Sequence, residues 1–195
     1  MAARKVGKKE SDVVKVEDVL KESFELYKKN FISLVIAGVI VAVGSVFIIT
    51  APPLLFGLHF MALKAIRHEQ VEIKDVFRGF DYLFKSWVMF IAGFTSVVIG
   101  LFFFLLPGLA LLILFNYTIP IAILEGRGGI ASLKKSMRVG RDNLQFTIIL
   151  WILLAILHSI AGSVSGAILL TYPFAVLATC IAAIKLTGDK NKSST

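Results

Sequence analysis

The chain has 195 residues, of which 57% are hydrophobic and 17% charged, with a net charge of +8, whereas an ordinary soluble domain is about half apolar and roughly a quarter charged. Mean hydropathy is +0.83, so lipid is the expected solvent, and 16 Phe in the chain against 13 acidic residues exclude disorder. A single cysteine, Cys180, excludes an intrachain disulfide and a Cys-rich zinc site.

In chain order, a charged tail (1–12) precedes one membrane domain (13–188) and a short C-terminal tail (189–195). Three stretches hold no Asp, Glu, Lys or Arg: Asn30 to Leu63, Ser86 to Leu124 and Asn143 to Ile184, of 34, 39 and 42 residues. A span needs roughly 20 apolar residues to cross a core of about 30 Å, so each stretch holds about two. Breakers divide them: Pro52 and Pro53 in the first, Pro107 and Gly108 in the second, and in the third Gly162, Gly166 and Pro173, with the turn expected around Ile168 to Tyr172. The reading is an all-α integral membrane protein of six transmembrane helices. They are Phe31 to Thr50, Leu54 to Ile66, Trp87 to Leu106, Leu109 to Leu124, Leu144 to Ala167 and Tyr172 to Leu186. The second is short, which a tilt, a thinned bilayer or partial insertion would accommodate. The first lies behind a leader of mixed charge and is longer than a signal-peptide core, so it is expected to be retained.

All 21 basic residues fall outside these stretches: eight before the first, five from Lys64 to Lys85, five from Arg127 to Arg141 and three from Lys185 onward. The acidic residues fall on the same side, and the hairpin tips carry none. The positive-inside rule then places both termini in the cytoplasm of a multi-pass cell-membrane protein.

Leu20 to Asn30 (LKESFELYKKN) and Leu133 to Asn143 (LKKSMRVGRDN) share Leu, Lys, Ser, a basic residue and Asn in register, 113 residues apart. At half that distance Val16 to Lys21 meets Ile73 to Arg78, with Asp18 over Asp75 and Val19 over Val76. The chain therefore reads as three repeats, 13–70, 71–127 and 128–188, each a basic amphipathic helix followed by a helical hairpin. The apolar stripes are Val13, Val16, Leu20, Phe24 and Tyr27; Ile73, Val76, Phe80, Leu83 and Trp87; and Ile130, Leu133, Met137 and Leu144. Such helices are expected to lie flat in the interface with the stripe in the acyl boundary. Lys21, Lys28, Lys29, Lys74, Arg78, Lys85, Lys134, Lys135, Arg138 and Arg141 then crowd one leaflet, either as a contact surface for anionic lipid or a partner, or solely as topology determinants. No nucleic-acid-binding module is visible among them.

Inside the spans the notable polar residues are His59, Asn116, Tyr117, Trp151, His158 and Tyr172. His59, Asn116 and Tyr172 occupy equivalent repeat positions, so a threefold arrangement would bring them together. Alternatively, like His158, they only hold helices to one another. Ala155, Ser159, Gly162, Ser163 and Gly166 form a small-residue strip containing a GxxxG pattern, a helix-packing face within the chain or against a second copy. Catalytic patterns are missing, and the three His have no carboxylate or Cys at ligand spacing. The GxGxxA match at Gly126 to Ala131 follows a membrane helix, not the strand that a dinucleotide fingerprint needs.

The segment ALKAIRHEQVEIKDVFRGFDYLF, through Arg67, Glu69, Asp75, Phe77, Gly79 and Phe80, resembles a pattern of a widespread prokaryotic group of multi-span membrane proteins. LLPGLALLILFNYTIPIAILEGRGGIASLKKSMRVGRDN is similar to that group's second signature, through Pro107, Gly108, Pro120, Glu125, Ala131, Leu133, Ser136 and Asn143. The group is related to the membrane domain attached to some bacterial glycerophosphoryl diester phosphodiesterases. The resemblance covers about Val16 to Lys185 and implies a polytopic membrane domain. It does not carry over the phosphodiesterase activity, since the catalytic barrel has no counterpart here. The expectation is a non-enzymatic accessory or scaffold, without cofactor or metal, whose basic helices engage anionic lipid of the cytoplasmic leaflet, a membrane partner or a second copy. The alternative is a small carrier or channel for a lipid-like or weakly polar solute.

Overall fold

The computed structural model describes residues 14–164 and 166–188; the two tails, and Val13 of the first stripe, lie outside the described residues. Among these residues there are helices and turns and no strand: α1 (Val16–Lys29), α2 (Phe31–Gly44), α3 (Ala51–Ile66), a 3₁₀ helix (Ile73–Tyr82) continuing into α4 (Leu83–Phe103), α5 (Leu105–Leu114), α6 (Thr118–Glu125), α7 (Gly129–Asp142), α8 (Leu144–Gly162) and α9 (Ile168–Thr187). Four stretches are long and apolar enough to cross a membrane: Ile73–Phe103, Leu105–Glu125, Leu144–Gly162 and Ile168–Thr187. A fifth qualifies only if α1 and α2, bent by 93° at Asn30, count as one. The chain is thus a helical protein with the makings of a multi-pass membrane protein. Phe102, Leu106 and Val46 are 86%, 77% and 76% exposed, a surface that only lipid or a partner suits.

Several expected boundaries move. α2 stops at Gly44, not Thr50, and its 14 residues reach only about 21 Å at 1.5 Å per residue. The fourth expected span is two helices, parted by a turn at Phe115 to Tyr117. The last reversal comes before Ile168, where Gly166 adopts φ 83°. Pro173 therefore lies inside α9, and its ring rests where a Cβ on Gly38 would meet it at 2.8 Å.

α3 and α9 are the most buried helices, while α4 and α8 show most of their apolar surface. The charged helices dock in a cyclic order: the 3₁₀ helix on α3, α7 on α6, and α1 on α9. Buried positions also recur along the chain. Val19, Ser23, Leu26, Tyr27, Leu34, Ala37 and Val41 of α1 and α2 correspond, 113 residues on, to Ser132, Ser136, Val139, Gly140, Thr147, Leu150 and Leu154, and all are buried. Asn30 and Asn143 end α1 and α7 alike, each donating Nδ2–H to the carbonyl four residues back, Leu26 O at 3.1 Å and Val139 O at 3.0 Å.

The amphipathic helices pack on protein through faces that overlap the expected stripes only in part. α1 buries Val19, Ser23, Leu26 and Tyr27, a face rotated from the expected stripe, and Phe24 is left outward at 54% exposure. α7 buries Ser132, Leu133, Ser136 and Val139 while Ile130 and Leu144 are exposed. Small and hydroxyl-bearing side chains let these helices approach their neighbours more closely than the bulkier stripe residues would. The second charged segment is 3₁₀ rather than α. Its ten residues are a long run for that geometry, fixed by close backbone contact: a Cβ on Gly57 would lie 1.6 Å from Val76 O, and one on Gly79 1.8 Å from Pro53 O.

The start of the 3₁₀ helix is held by Asp75, whose Oδ2 accepts the Lys64 ammonium at 2.7 Å and the Glu72 N–H at 3.0 Å. Burial alone would raise the Asp75 carboxyl, but the Lys64 and Glu72 bonds outweigh it and hold its pKa below the ordinary 3.8. Two outcomes are expected in thermal melts of detergent-purified protein. Gly57→Ala or Gly79→Ala should cost about 3 kcal/mol or more, because backbone atoms, not a flexible side chain, must move. Asp75→Asn should also destabilise, by leaving the Lys64 charge uncompensated. A depressed acid stabilises above its unfolded pKa, so the wild-type advantage over Asp75→Asn should be full at neutral pH and shrink as pH falls through 3.8 and below.

Candidate functional site

The apolar helices bring the intramembrane polar residues together. His59 from α3, Asn116 from the turn between α5 and α6, His158 from α8 and Tyr172 from α9 all line one cavity of 340 Å³, with Trp151, Thr179 and apolar side chains of α6, α8 and α9. His59 Nδ1 lies 2.8 Å from Leu55 O and His158 Nδ1 2.7 Å from Leu154 O. A carbonyl only accepts, so both Nδ1 atoms carry a proton in these bonds. No Asp, Glu, Lys or Arg lines the cavity. The Tyr172 ring meets that of His158 edge to face, with centroids 6.2 Å apart.

Asn116 is the exception to the economy of hydrogen bonds in this bundle: its Nδ2 is buried and has no partner. The turn that carries it is braced from α7. The Ser136 hydroxyl donates to Leu114 O at 2.7 Å and accepts the Tyr117 N–H at 3.2 Å, which satisfies both backbone groups freed by the break. Tyr117 in turn donates its hydroxyl to Thr147 Oγ1 at 3.2 Å. Ser136 was legible as a polar residue in register with Ser23 and as part of the second signature, without any sign of this bracing role, and Thr147 and Thr179 carried no signal beyond their polarity.

The ten basic residues separate into two sets. Lys21 pairs with Glu17 at 2.7 Å, Lys74 with Glu72 at 2.6 Å, and Lys135 with Glu125. Lys28 stands over the Phe24 ring and Arg78 over that of Phe60, at 4.6 and 4.4 Å. Lys85 reaches Gly126 O at 3.4 Å. Among the described residues Lys29, Lys134, Arg138 and Arg141 are exposed and make no ion pair, hydrogen bond or ring contact; the spacing of the last three puts them on one face of α7, opposite buried Ser132, Ser136 and Val139. Lys28 and Lys29 also line a cleft of 690 Å³ with Asn30, Ser33, His68 and Glu69, at the bend between α1 and α2.

The small-residue strip does not serve as a packing face within the chain. Ser159, Gly162 and Gly166 are exposed, and a Cβ on Gly162 or Gly166 would meet nothing within 4 Å. α8 buries Leu154 and turns His158 and, of the strip, only Ala155 to the cavity beside α9. No group of three or more His, Cys, Asp or Glu able to hold a metal ion occurs among the described residues.

Comparison with family models, with curated proteins and with solved structures found no match. The Ser136 brace carries a prediction: Ser136→Ala should unpair a buried carbonyl and a buried N–H, lowering stability by about 2 kcal/mol in a thermal melt.

Proposed function

We propose that the chain is a non-enzymatic, six-span protein of the cell membrane, built of three units of charged helix and hairpin, with both termini cytoplasmic. Its role is that of an accessory or scaffold, and its cytoplasmic basic surface engages anionic headgroups. The cyclic docking of the charged helices and the recurrence of buried positions along α1–α2 and α7–α8 support three equivalent units. The first hairpin then crosses with short arms. α3 is surrounded by protein along most of its length, so its ends need not reach both aqueous interfaces.

The observation that carries the lipid reading is the unpaired, exposed triplet of Lys134, Arg138 and Arg141. Cations needed only for topology require no common face. This set shares one, free of carboxylate partners among the described residues, while Lys21, Lys74, Lys64 and Lys135 are neutralised by Glu17, Glu72, Asp75 and Glu125. A membrane carrying negative headgroups supplies the missing counter-charge.

The test compares protein reconstituted in neutral phosphatidylcholine with protein in the same bilayer containing phosphatidylglycerol. Wild type should melt several degrees higher with the anionic lipid, a gain that high salt removes. The triple variant Lys134→Gln/Arg138→Gln/Arg141→Gln should lose that gain while matching wild type in neutral lipid. An equal response of variant and wild type would sink the reading.

A further inference from the structure

The cleft at the bend between α1 and α2 combines both signs of charge with exposed apolar surface, and the lipid reading of α7 makes no use of it. We propose that it is a binding site for one phospholipid of the phosphatidylethanolamine type, with the phosphate at Lys28 and Lys29, the primary ammonium at Glu69 and the acyl chains along Phe31 and Ile32. The proposal rests on the reading of the chain as a membrane protein, but not on the α7 cations.

Four features of the cleft define that occupant. The first is its place in the chain's polarity pattern. One lining segment passes from Lys28 and Lys29 to Phe31 and Ile32, which are 43% and 71% exposed, at the start of the charge-free stretch Asn30 to Leu63. The other passes from buried Ala65, near the end of α3, to exposed His68 and Glu69. Both segments thus change between charged and apolar at the cleft, as a surface does at the boundary of headgroups and acyl chains.

Second, the cations are available. Among the described residues Lys29 has no ion pair, hydrogen bond or ring contact, and Lys28 meets only the Phe24 ring, 4.6 Å from its centroid. An ammonium has three N–H donors, so each lysine retains donors for a phosphate oxygen. Third, a carboxylate lines the same cleft without a close partner: Arg67 approaches Glu69 Oε1 only at 4.0 Å, beyond hydrogen-bond distance. It would repel a purely anionic headgroup. A choline headgroup brings the cancelling charge but no N–H, whereas a primary ammonium brings both. Fourth, the volume of 690 Å³ falls within the roughly 300–1,000 Å³ of small-molecule sites, and the Glu69 segment is held in place. The chain turns at His68 with φ 56°, the Glu69 N–H returns to Lys64 O at 3.0 Å, and Ser33 of α2 donates to Val71 O at 3.3 Å. A soluble phosphate ester would leave Phe31 and Ile32 uncovered, and a lipid covers them.

Native mass spectrometry of the full chain tests this, with an equimolar mixture of phosphatidylethanolamine and phosphatidylcholine of matched acyl chains, told apart by headgroup mass. Wild type should retain one phospholipid, with phosphatidylethanolamine favoured about threefold. Glu69→Gln should retain the two lipids equally, and Lys28→Gln/Lys29→Gln should cut retention of both about tenfold. All three residues are exposed, so these variants should melt as wild type does. Phosphoethanolamine, the headgroup without acyl chains, should not displace the lipid even in large excess. Equal retention of the two lipids by wild type, a preference that Glu69→Gln leaves intact, retention unchanged in the lysine variant, or displacement by phosphoethanolamine would overturn the proposal. The triple variant of Lys134, Arg138 and Arg141 should keep the wild-type preference, and its loss there would move the lipid to α7 and overturn the proposal as well. No anionic lipid enters the mixture, so failure here leaves the headgroup reading standing, and the reverse.

Discussion

The need to answer polar groups from within an apolar helical bundle is the constraint from which the rest of the structure follows. In hydrocarbon every polar group must be answered by the chain itself, and each irregularity in the helices shows how. Asn30 and Asn143 end α1 and α7 by donating back to Leu26 O and Val139 O. The break between α5 and α6 frees a carbonyl and an N–H, and one hydroxyl, Ser136, answers both. Ser96 and Thr187 return their hydroxyls to carbonyls of their own helices. Against that background Asn116 Nδ2 stands out as the one buried side-chain nitrogen or oxygen left open among the described residues.

The same constraint explains how short helices belong in the bundle. α2 and α3 would be marginal as isolated spans, but α3 is wrapped by the 3₁₀ helix, α2, α9 and α4. Its polar ends meet protein. Glycine makes the wrapping possible: at Gly57 and Gly79 the backbones of α3 and the 3₁₀ helix touch, leaving no room for a side chain. The Lys64–Asp75 pair, at 2.7 Å, then fixes where along α3 the 3₁₀ helix begins. Specificity comes from the glycine contact, and the ion pair completes it at low exposure, where removing either partner strands the other.

α3, α6 and α9 touch one another. His59, Asn116 and Tyr172 border one space between them and α8. Its walls are apolar apart from these groups and their neighbours, so hydrogen-bonding capacity inside it is scarce and localised. The exposed α7 cations lie on the opposite face of a helix whose buried side braces the Asn116 turn. One helix thus links the charged surface to the interior site.

Much was legible in the sequence because it depends on composition and period. The charge-free stretches, the helical class and the several helices long and apolar enough to cross a membrane need only counting. Hydropathy fixes these because transfer from water to lipid is a property of each residue, not of its neighbours. Which face of α1 and α7 packs on protein was not legible, since an apolar stripe says only that a side avoids water, while fit to the facing helix selects small and hydroxyl-bearing residues. The exposure of Ser159, Gly162 and Gly166, the 3₁₀ winding beside α3 and the pairing state of each lysine were likewise settled by tertiary contact. Hydrogen-bond satisfaction and backbone approach belong to pairs of segments far apart in the chain, and a single sequence read locally holds no record of the distance between them.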